Sequence, residues 1–411
     1  MKLKNLKTLG VAALTATFLF SCNQDTNVPA ENMDSQMAAP SQSQVIPGQY
    51  IVVFNKDVSG DQGRAMQSYQ KSQDAVKAQT LKLMSDSGIK GEVLNVYSRT
   101  ISGATLKISA ADAEQLRNTK GVSYVEEDRV VIFAPPCGTP NGAPCDGGGD
   151  GGGSGAQETP YGITRVNGGV NYTGSAVAWV VDTGIDLDHE DLNVDASRGF
   201  NAFTSGKDGK SLDDGNGHGT HVAGTIGALD NSVGVIGVAA GATVIPVKVL
   251  DSRGSGSYSG VIAGVDHVGA NGNSGDVANM SLGGPVSQAL DDAVVAASQN
   301  GIKFALAAGN ETDDANNHSP ARVNGSNIVT ISAMNSSDSW ASFSNFGNPP
   351  VDYAAPGVGI KSTWKGGGYN TISGTSMASP HAAGILLLGN PSTDGTVSGD
   401  PDGNPDPIIV H

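Results

Sequence analysis

Three short segments of the chain carry a carboxylate, an imidazole and a hydroxyl, in the order acid, base, hydroxyl. Asp182 follows an apolar run at 176–181, His218 lies between two glycines, and Ser376 follows Gly374-Thr. A serine hydroxyl is a weak nucleophile unless a neighbouring base takes its proton, and a carboxylate can hold that base in the required tautomer. Each segment alone is only suggestive. Together, in this order, they predict acyl transfer by an Asp-His-Ser triad.

The elements around these residues would bring them to one edge of a sheet. The apolar run before Asp182 indicates a buried strand, and the carboxyl ends of strands in open α/β sheets face the ligand crevice. His218 and Ser376 each stand where a helix is predicted to begin, and helix N-terminal N–H groups favour negative charge. From residue 156, apolar strands alternate with glycine-punctuated helices, which predicts a doubly wound α/β domain with a mainly parallel sheet.

These motifs resemble the subtilase family of serine proteases over residues 157–381. The chain order Asp, His, Ser is that of subtilisin, whereas α/β-hydrolases run Ser, acid, His, and Ala378 replaces the last glycine of their nucleophile elbow. The resemblance implies that Asn310 supplies the side-chain donor of the oxyanion hole beside the Ser376 N–H; the alternative is an ordinary turn residue. It also makes His218 catalytic and His221 structural, rather than the two histidines a metal pair.

The resemblance further implies an extended peptide site. Two segments would pair with the substrate backbone, a third would form a wall of the main side-chain pocket, and small apolar walls imply a broad preference for apolar or aromatic residues before the cleaved bond. The residues concerned are Gly254, Ser255, Gly256 and Tyr258, then Ser281, Leu282 and Gly283, and finally Ala307, Ala308 and Gly309. No acidic residue stands where a pocket selective for Lys or Arg would obviously need one.

A structural calcium ion is the one cofactor implied, and no catalytic cofactor is expected. Calcium takes six to eight oxygen ligands, commonly from carboxylate, amide and backbone carbonyl groups. The alternative is an ordinary Asn-containing loop after the His218 helix. The ligand positions matched to the family are Gln157, Asp191, Leu229, Asn231, Val233 and Val235.

Residues 45–134 form a separate pattern of strand, helix, strand, strand, helix, strand. This order predicts a small β-α-β-β-α-β module, with strands at 49–54, 92–97, 103–108 and 122–132. Helices are predicted at 61–84 and, N-capped by Ser109, through Leu116. The module resembles the inhibitory propeptide of subtilisin-type proteases, so the chain's own propeptide is expected to act as an intramolecular inhibitor. An unrelated small module is the alternative.

The remaining segments concern export and processing. Residues 1–21 have a lysine-bearing start and a short apolar run, which predicts a signal peptide, and Leu19-Phe-Ser-Cys22 resembles a lipobox. An ordinary signal peptide is the alternative to lipidation of Cys22. A flexible tether is predicted at 22–44, a Gly/Pro-rich linker at 135–155 and an irregular tail at 389–411. An exported chain permits, but does not require, a disulfide between Cys137 and Cys145.

The 411-residue chain has a formal charge of −16 and a sequence pI near 4.7. This balance argues against nucleic acid and anionic membranes as partners, since both are negatively charged. We therefore expect a monomeric, secreted or lipid-anchored serine endopeptidase that acts on proteins and processes its own inhibited precursor. The contrasting hypothesis is a catalytically dead peptide-binding module, which would have no reason to keep all four active-site residues.

Overall fold

The computed structural model describes residues 44–55, 68–132, 156–389 and 391–411. The predicted signal peptide, Cys22, the cysteine-containing linker and the segment around Ala134 lie outside these ranges. Every helix in these ranges is too short or too polar to span a lipid bilayer.

The described ranges contain seven α-helices and twenty strands, together with short 3-10 turns. The helices are α1 Tyr69–Asp86, α2 Ala110–Arg117, α3 Tyr161–Arg165, α4 His218–Gly227, α5 Tyr258–Asn271, α6 Gln288–Ser298 and α7 Thr375–Leu388. The strands are β1 Val45–Phe54, β2 Glu92–Tyr97, β3 Gly103–Lys107, β4 Val122–Ile132, β5 Val170–Asn171, β6 Ala178–Asp182, β7 Phe200–Asn201, β8 Ala239–Ala240, β9 Val244–Lys248, β10 Ser255–Ser257, β11 Val277–Met280, β12 Gly284–Pro285, β13 Lys303–Ala307, β14 His318–Ser319, β15 Ile328–Met334, β16 Val351–Pro356, β17 Ile360–Trp364, β18 Gly368–Ile372, β19 Ser392–Thr396 and β20 Pro407–Val410.

The N-terminal module, described over residues 44–55 and 68–132, has the predicted strand and helix order. Its sheet runs β4-β1-β3-β2 with antiparallel pairing throughout, and β10 of the following domain joins the β4 edge. The Ser109 hydroxyl accepts a hydrogen bond from the Asp112 N–H at 3.1 Å, which is the predicted N-cap of α2. The first part of the predicted helix at 61–84 lies outside the described residues, and α1 is described from Tyr69.

Period-2 alternation in β1 gives the module two apolar faces. Tyr50, Val52 and Phe54 pack with α1 and α2 residues in the module's own core. Ile51 and Val53 point the other way and join the buried cluster that contains α5 and α6 of the C-terminal domain. One face of the small sheet is therefore covered by the larger domain rather than by water.

The C-terminal domain is built on a nine-stranded sheet of order β19-β20-β16-β15-β13-β11-β6-β9-β7. All pairs are parallel except β19 with β20, which confirms the predicted fold class. Buried residues of α4 and α7 cover one face, and those of α5 and α6 cover the other. The chain direction across the sheet reverses between β6 and β11, so the carboxyl end of β6 borders the crevice at a topological switch point.

The tail contradicts the prediction of an irregular segment at 389–411. β20 pairs in parallel with β16, and β19 pairs with β20 in turn, so the tail extends the sheet. Ile408, Ile409 and Val410 are buried, and the His411 N–H donates to the Val166 carbonyl at 3.0 Å. The Gly, Asp and Pro content of residues 389–406 obscured the short apolar run that supplies a strand.

Candidate active site

Asp182 and His218 form a buried pair at the carboxyl edge of the sheet. Asp182 is the last residue of β6, and its Oδ1 and Oδ2 lie 2.8 and 2.9 Å from His218 Nδ1. Both side chains are fully buried. The carboxylate also accepts the Thr183 N–H at 2.7 Å, which fixes its rotamer. This geometry presents the imidazole with Nδ1 toward the carboxylate and Nε2 on the opposite side of the ring.

Two glycines allow helix α4 to begin at His218. Gly217 has φ of 114° and a Cβ there would meet the Trp364 ring, whereas a Cβ on Gly219 would lie 2.1 Å from the Gly184 carbonyl oxygen. A side chain at position 219 would therefore push the start of α4 away from the segment that follows Asp182, and one at position 217 would displace Trp364.

Ser376 and Asn310 meet at the start of helix α7. Ser376 is the second residue of the helix, so its N–H has no intrahelical acceptor. The Asn310 Oδ1 accepts the Thr375 N–H at 2.8 Å and the Thr375 hydroxyl at 3.0 Å, which orients the amide nitrogen away from the helix. The Ser376 hydroxyl donates to the Ser281 carbonyl at 3.2 Å. Asn310 and Ser376 line one pocket.

The segment 255–257, which includes predicted substrate-binding residues, is already paired with an extended chain. In β10, Ser255, Gly256 and Ser257 pair antiparallel with Ile132, Val131 and Val130 of β4. Val131 is fully buried in the cluster that also contains Tyr258. The N-terminal module thus presents its last strand to the segment that was predicted to bind substrate.

The predicted pocket walls also come together in the structure. Leu282, Gly283, Ala307, Ala308 and Gly309 line the pocket beside Ser376, and the Ser281 hydroxyl donates to the Ser376 carbonyl at 2.8 Å.

Two titratable residues of this pocket were not predicted, and one of them is acidic, contrary to the expectation from the sequence. Glu311 and His318 line it as well, with Glu311 Oε2 accepting the Asn345 amide at 2.7 Å and lying 3.9 Å from His318 Nδ1. Glu311 directly follows Asn310, and this adjacency was the available signal.

Sequence reasoning also missed two carboxylates of β4 that cap helices of the larger domain. Asp128 accepts the Ser259 N–H at 3.1 Å and the Ser259 hydroxyl at 2.6 Å, at the start of α5. Glu126 accepts the Ser287 hydroxyl at 2.6 Å, at the start of α6. Anions are favoured at helix N-termini, so both carboxylates stabilise the docked module. Their spacing of two residues in a strand, which puts them on one face, was the usable signal.

A third carboxylate belongs to the larger domain and accepts hydrogen bonds from the N-terminal module. Asp266 of α5 is fully buried, and burial raises its pKa while the hydrogen bonds it accepts oppose that rise. All the donors belong to the N-terminal module. They are the N–H groups of Ser98, Arg99 and Thr100, the hydroxyls of Tyr69 and Thr100, and the Gln73 amide, at 2.7 to 3.1 Å.

The predicted calcium ligands form a single connected cluster. The Gln157 amide lies 2.7 Å from the Leu229 carbonyl and 3.4 Å from that of Val235, and the Val235 N–H donates to Asp191 at 3.1 Å. The Asn231 amide N–H donates to Asp191 at 2.7 Å, and the Asn231 amide oxygen accepts the Val233 N–H at 2.7 Å. Turning the two amides would place their oxygens beside the carbonyls of Leu229 and Val235 and the Asp191 carboxylate, and a donor set of this chemistry fits a hard cation.

No three His, Cys, Asp or Glu side chains in the described ranges converge as a metal centre. His221 instead bonds the Ile360 carbonyl at 2.9 Å through Nε2, and burial lowers its pKa to about 3. Burial also lowers the pKa of His381, to about 4. Both imidazoles are therefore neutral, buried parts of the core.

Comparison with known proteins agrees with this architecture. A family model described as "Subtilase family" matches residues 173–392, and one described as "Peptidase inhibitor I9" matches residues 49–134. Alkaline serine exoprotease A of Vibrio alginolyticus is 38% identical over 409 residues, covering 93% of this chain and 70% of that protein. Subtilisin NAT of Bacillus subtilis subsp. natto is 37% identical over 384 residues, covering 91% of this chain and 88% of that protein.

Among solved structures, a cold adapted subtilisin-like serine proteinase is 45% identical, with a TM-score of 0.50 over 56% of this chain and 83% of that chain. The N-terminal module is accordingly an inhibitor propeptide, and the C-terminal domain is the peptidase. The chain belongs to the subtilase family and is a subtilisin-like serine endopeptidase with an I9-type propeptide.

Proposed function

We propose that Ser376 attacks the scissile carbonyl while His218 takes its proton and then passes it to the leaving amine. Asp182 stabilises the resulting imidazolium, a role supported by its bond to His218 Nδ1. The Ser376 N–H and the Asn310 amide are the donors for the oxyanion, since neither is used by the helix. Because the Ser376 hydroxyl rests on the Ser281 carbonyl, attack requires its rotation toward His218.

The observation that carries the proposal is the pairing of β4 with β10. A strand added to the edge of the binding segment is the mode in which extended peptides bind, and here the added strand is the chain's own. Its direction leads past Ile132 toward Phe133-Ala134. We place the first self-cleavage after Ala134, although Pro135 and Pro136 are poor residues on the leaving side. A second cut in the linker near Gly155 would then remove the proline-containing segment from the mature domain.

The test compares the full chain with its Ser376→Ala variant by intact mass and N-terminal sequencing. The unmutated chain should lose the propeptide, and the variant should persist as a precursor that trace active enzyme cuts at the same bonds. Maturation of the variant at the normal rate without added enzyme would contradict the proposal.

Specificity should be broad, with apolar or aromatic residues preferred before the cleaved bond. Ala307, Ala308 and Leu282 supply small apolar walls, and Glu311 adds a carboxylate that disfavours an acidic side chain there. Peptide p-nitroanilides that differ only in this residue test the point: Phe and Leu should exceed Glu in kcat/KM. Faster cleavage after Glu would contradict it.

A calcium ion held by the Gln157–Asp191–Asn231 cluster would stabilise the mature domain. Gln157 follows the linker, and the flanking backbone bridges Ala156 to Val233 and Glu158 to Val235, so the ion would pin the domain's first residues. A ligand that binds only the folded state raises stability by mass action. Excess chelator should shorten the half-life at elevated temperature, and Asp191→Ala with Asn231→Ala should remove that effect. An unchanged half-life and no calcium by elemental analysis would refute the site.

Export is supported by the predicted signal peptide, and the related proteinase of Thermus sp. is described as extracellular. We propose that Cys22 carries a lipid on the precursor, and that cleavage after Ala134 frees the peptidase. Labelled palmitate should enter the precursor and be absent from Cys22→Ala. An unlabelled precursor would contradict lipidation of Cys22 and leave ordinary secretion as the route of export.

A further inference from the structure

Asp214, four residues before His218, is a buried carboxylate that the triad chemistry does not use. It is 4% exposed and accepts five hydrogen bonds. Its Oδ1 accepts the N–H groups of Asn216 and Gly217, each at 2.9 Å, so it shapes the turn that delivers His218. Its Oδ2 accepts the Thr220 N–H at 3.0 Å and the Thr220 hydroxyl at 2.7 Å, within the first turn of α4.

The fifth hydrogen bond links this turn to the catalytic acid. The hydroxyl of Thr183, the residue after Asp182, donates to Asp214 Oδ1 at 2.9 Å and accepts the Gly219 N–H at 2.9 Å. The Thr183 N–H meanwhile donates to Asp182 Oδ1 at 2.7 Å. One buried threonine therefore touches the carboxylate of the acid, the backbone beside the base and Asp214.

A buried ammonium group holds Thr183 from the other side. Lys248 is fully buried on β9 beside Asp182, and its Nζ donates to the Thr183 carbonyl at 2.5 Å and lies 3.3 Å from Asp208. Thr183 is thus fixed at its N–H, its hydroxyl and its carbonyl. A residue held at three points in this way fixes the end of β6 relative to the start of α4.

From these contacts we propose that Asp214 and Thr183 are positioning residues, which set the distance and angle between Asp182 and His218. The Asp182 carboxylate lies on a strand and the His218 ring on a helix, and the Thr183–Asp214 bridge spans the gap between them. Without the bridge the helix start is free to shift, and a displacement of about 1 Å at a catalytic group costs on the order of 100-fold in rate.

The decisive variants are Thr183→Val, which keeps shape but removes the hydroxyl, and Thr183→Ser, which restores it. Asp214→Ala is the second break in the bridge. The matched control is Asp276→Asn: Asp276 is also buried, and it accepts the Val177 N–H at 3.0 Å and the Trp179 indole N–H at 3.1 Å near the opposite end of the same strand. Each full-length chain is matured, with trace unmutated enzyme where needed, and its active sites are counted by titration.

Kinetics are measured on a tetrapeptide p-nitroanilide with Phe before the cleaved bond, from pH 5 to 10. We expect Thr183→Val and Asp214→Ala to lose roughly 10- to 100-fold in kcat with KM changed less than threefold. The acid limb of kcat/KM should move to lower pH, because a misplaced Asp182 stabilises the imidazolium less. Thr183→Ser should recover to within about threefold, and Asp276→Asn should lose thermal stability but keep kcat.

A purely structural bridge would behave differently. Titrated Thr183→Val enzyme with kcat within threefold of normal and an unmoved acid limb would overturn the proposal. A loss of kcat in Asp276→Asn equal to the loss in Thr183→Val would also overturn the proposal. Should Asp214→Ala fail to fold, the Thr183 pair decides the question alone.

Discussion

Replacing Asp266 by Asn should weaken binding of the propeptide to the mature enzyme without changing kcat/KM. The carboxylate accepts six donor groups, all from the propeptide. We expect water to take their place once the propeptide has left. The amide of Asn keeps the shape, removes the charge and turns an N–H pair toward donors. Truncating one partner of a buried, charged network at an interface costs about 2–5 kcal/mol, so the inhibition constant should rise roughly 30- to 4,000-fold.

The assay adds propeptide 45–134 to mature enzyme and follows cleavage of a tetrapeptide p-nitroanilide. Asp292→Asn is the control, since Asp292 accepts one propeptide hydrogen bond, from the Tyr124 hydroxyl at 2.6 Å, and should cost no more than about tenfold. In both variants kcat/KM without propeptide should stay within twofold of normal. A rise of less than threefold for Asp266→Asn, or equal effects of the two variants, would refute the reasoning.

Three further outcomes follow from buried groups. The pKa values of His221 and His381 are low in the folded chain, so the unfolded chain takes up protons first as pH falls below about 6.5. The free energy of unfolding should therefore drop by about 1.4 kcal/mol per pH unit for each histidine. Urea unfolding of Ser376→Ala at pH 7 and pH 5 measures this drop, and His381→Gln should remove about half of the slope. Asp182→Asn should keep its circular dichroism but lose on the order of 10⁴ in turnover, and near-normal turnover would contradict its role. Ile409→Ala should cost about 2–5 kcal/mol in urea unfolding because Ile409 is fully buried in the tail strand, and an unchanged midpoint would show the tail to be dispensable.

The proposed catalytic residues were accessible from sequence because each lies in a short motif whose local structure is self-contained. A strand end, a glycine-flanked helix start and a Gly-Thr-Ser helix start are visible without knowing what they pack against. The propeptide's element order was accessible for the same reason, since the alternation in β1 and the Ser109 cap are local signals.

Features that depend on distant partners were not accessible. Asp266 stands in an apolar helix, and its donors lie more than 160 residues earlier in the chain. Asp214 was visible in the His218 motif, but its link to Thr183 appears only once β6 and α4 are packed together. The tail strand depends on the open edge of β16, which composition does not reveal. Glu311 was not singled out by the sequence, although it lines the pocket.

Covalent labelling of the nucleophile tests the central claim most directly. Mature enzyme treated with a fluorophosphonate and analysed by peptide mass spectrometry should carry one adduct, on Ser376, in proportion to the activity lost. Ser376→Ala, cut from its precursor by trace active enzyme, should carry none. An adduct on another residue, or full inactivation with Ser376 unmodified, would contradict the account.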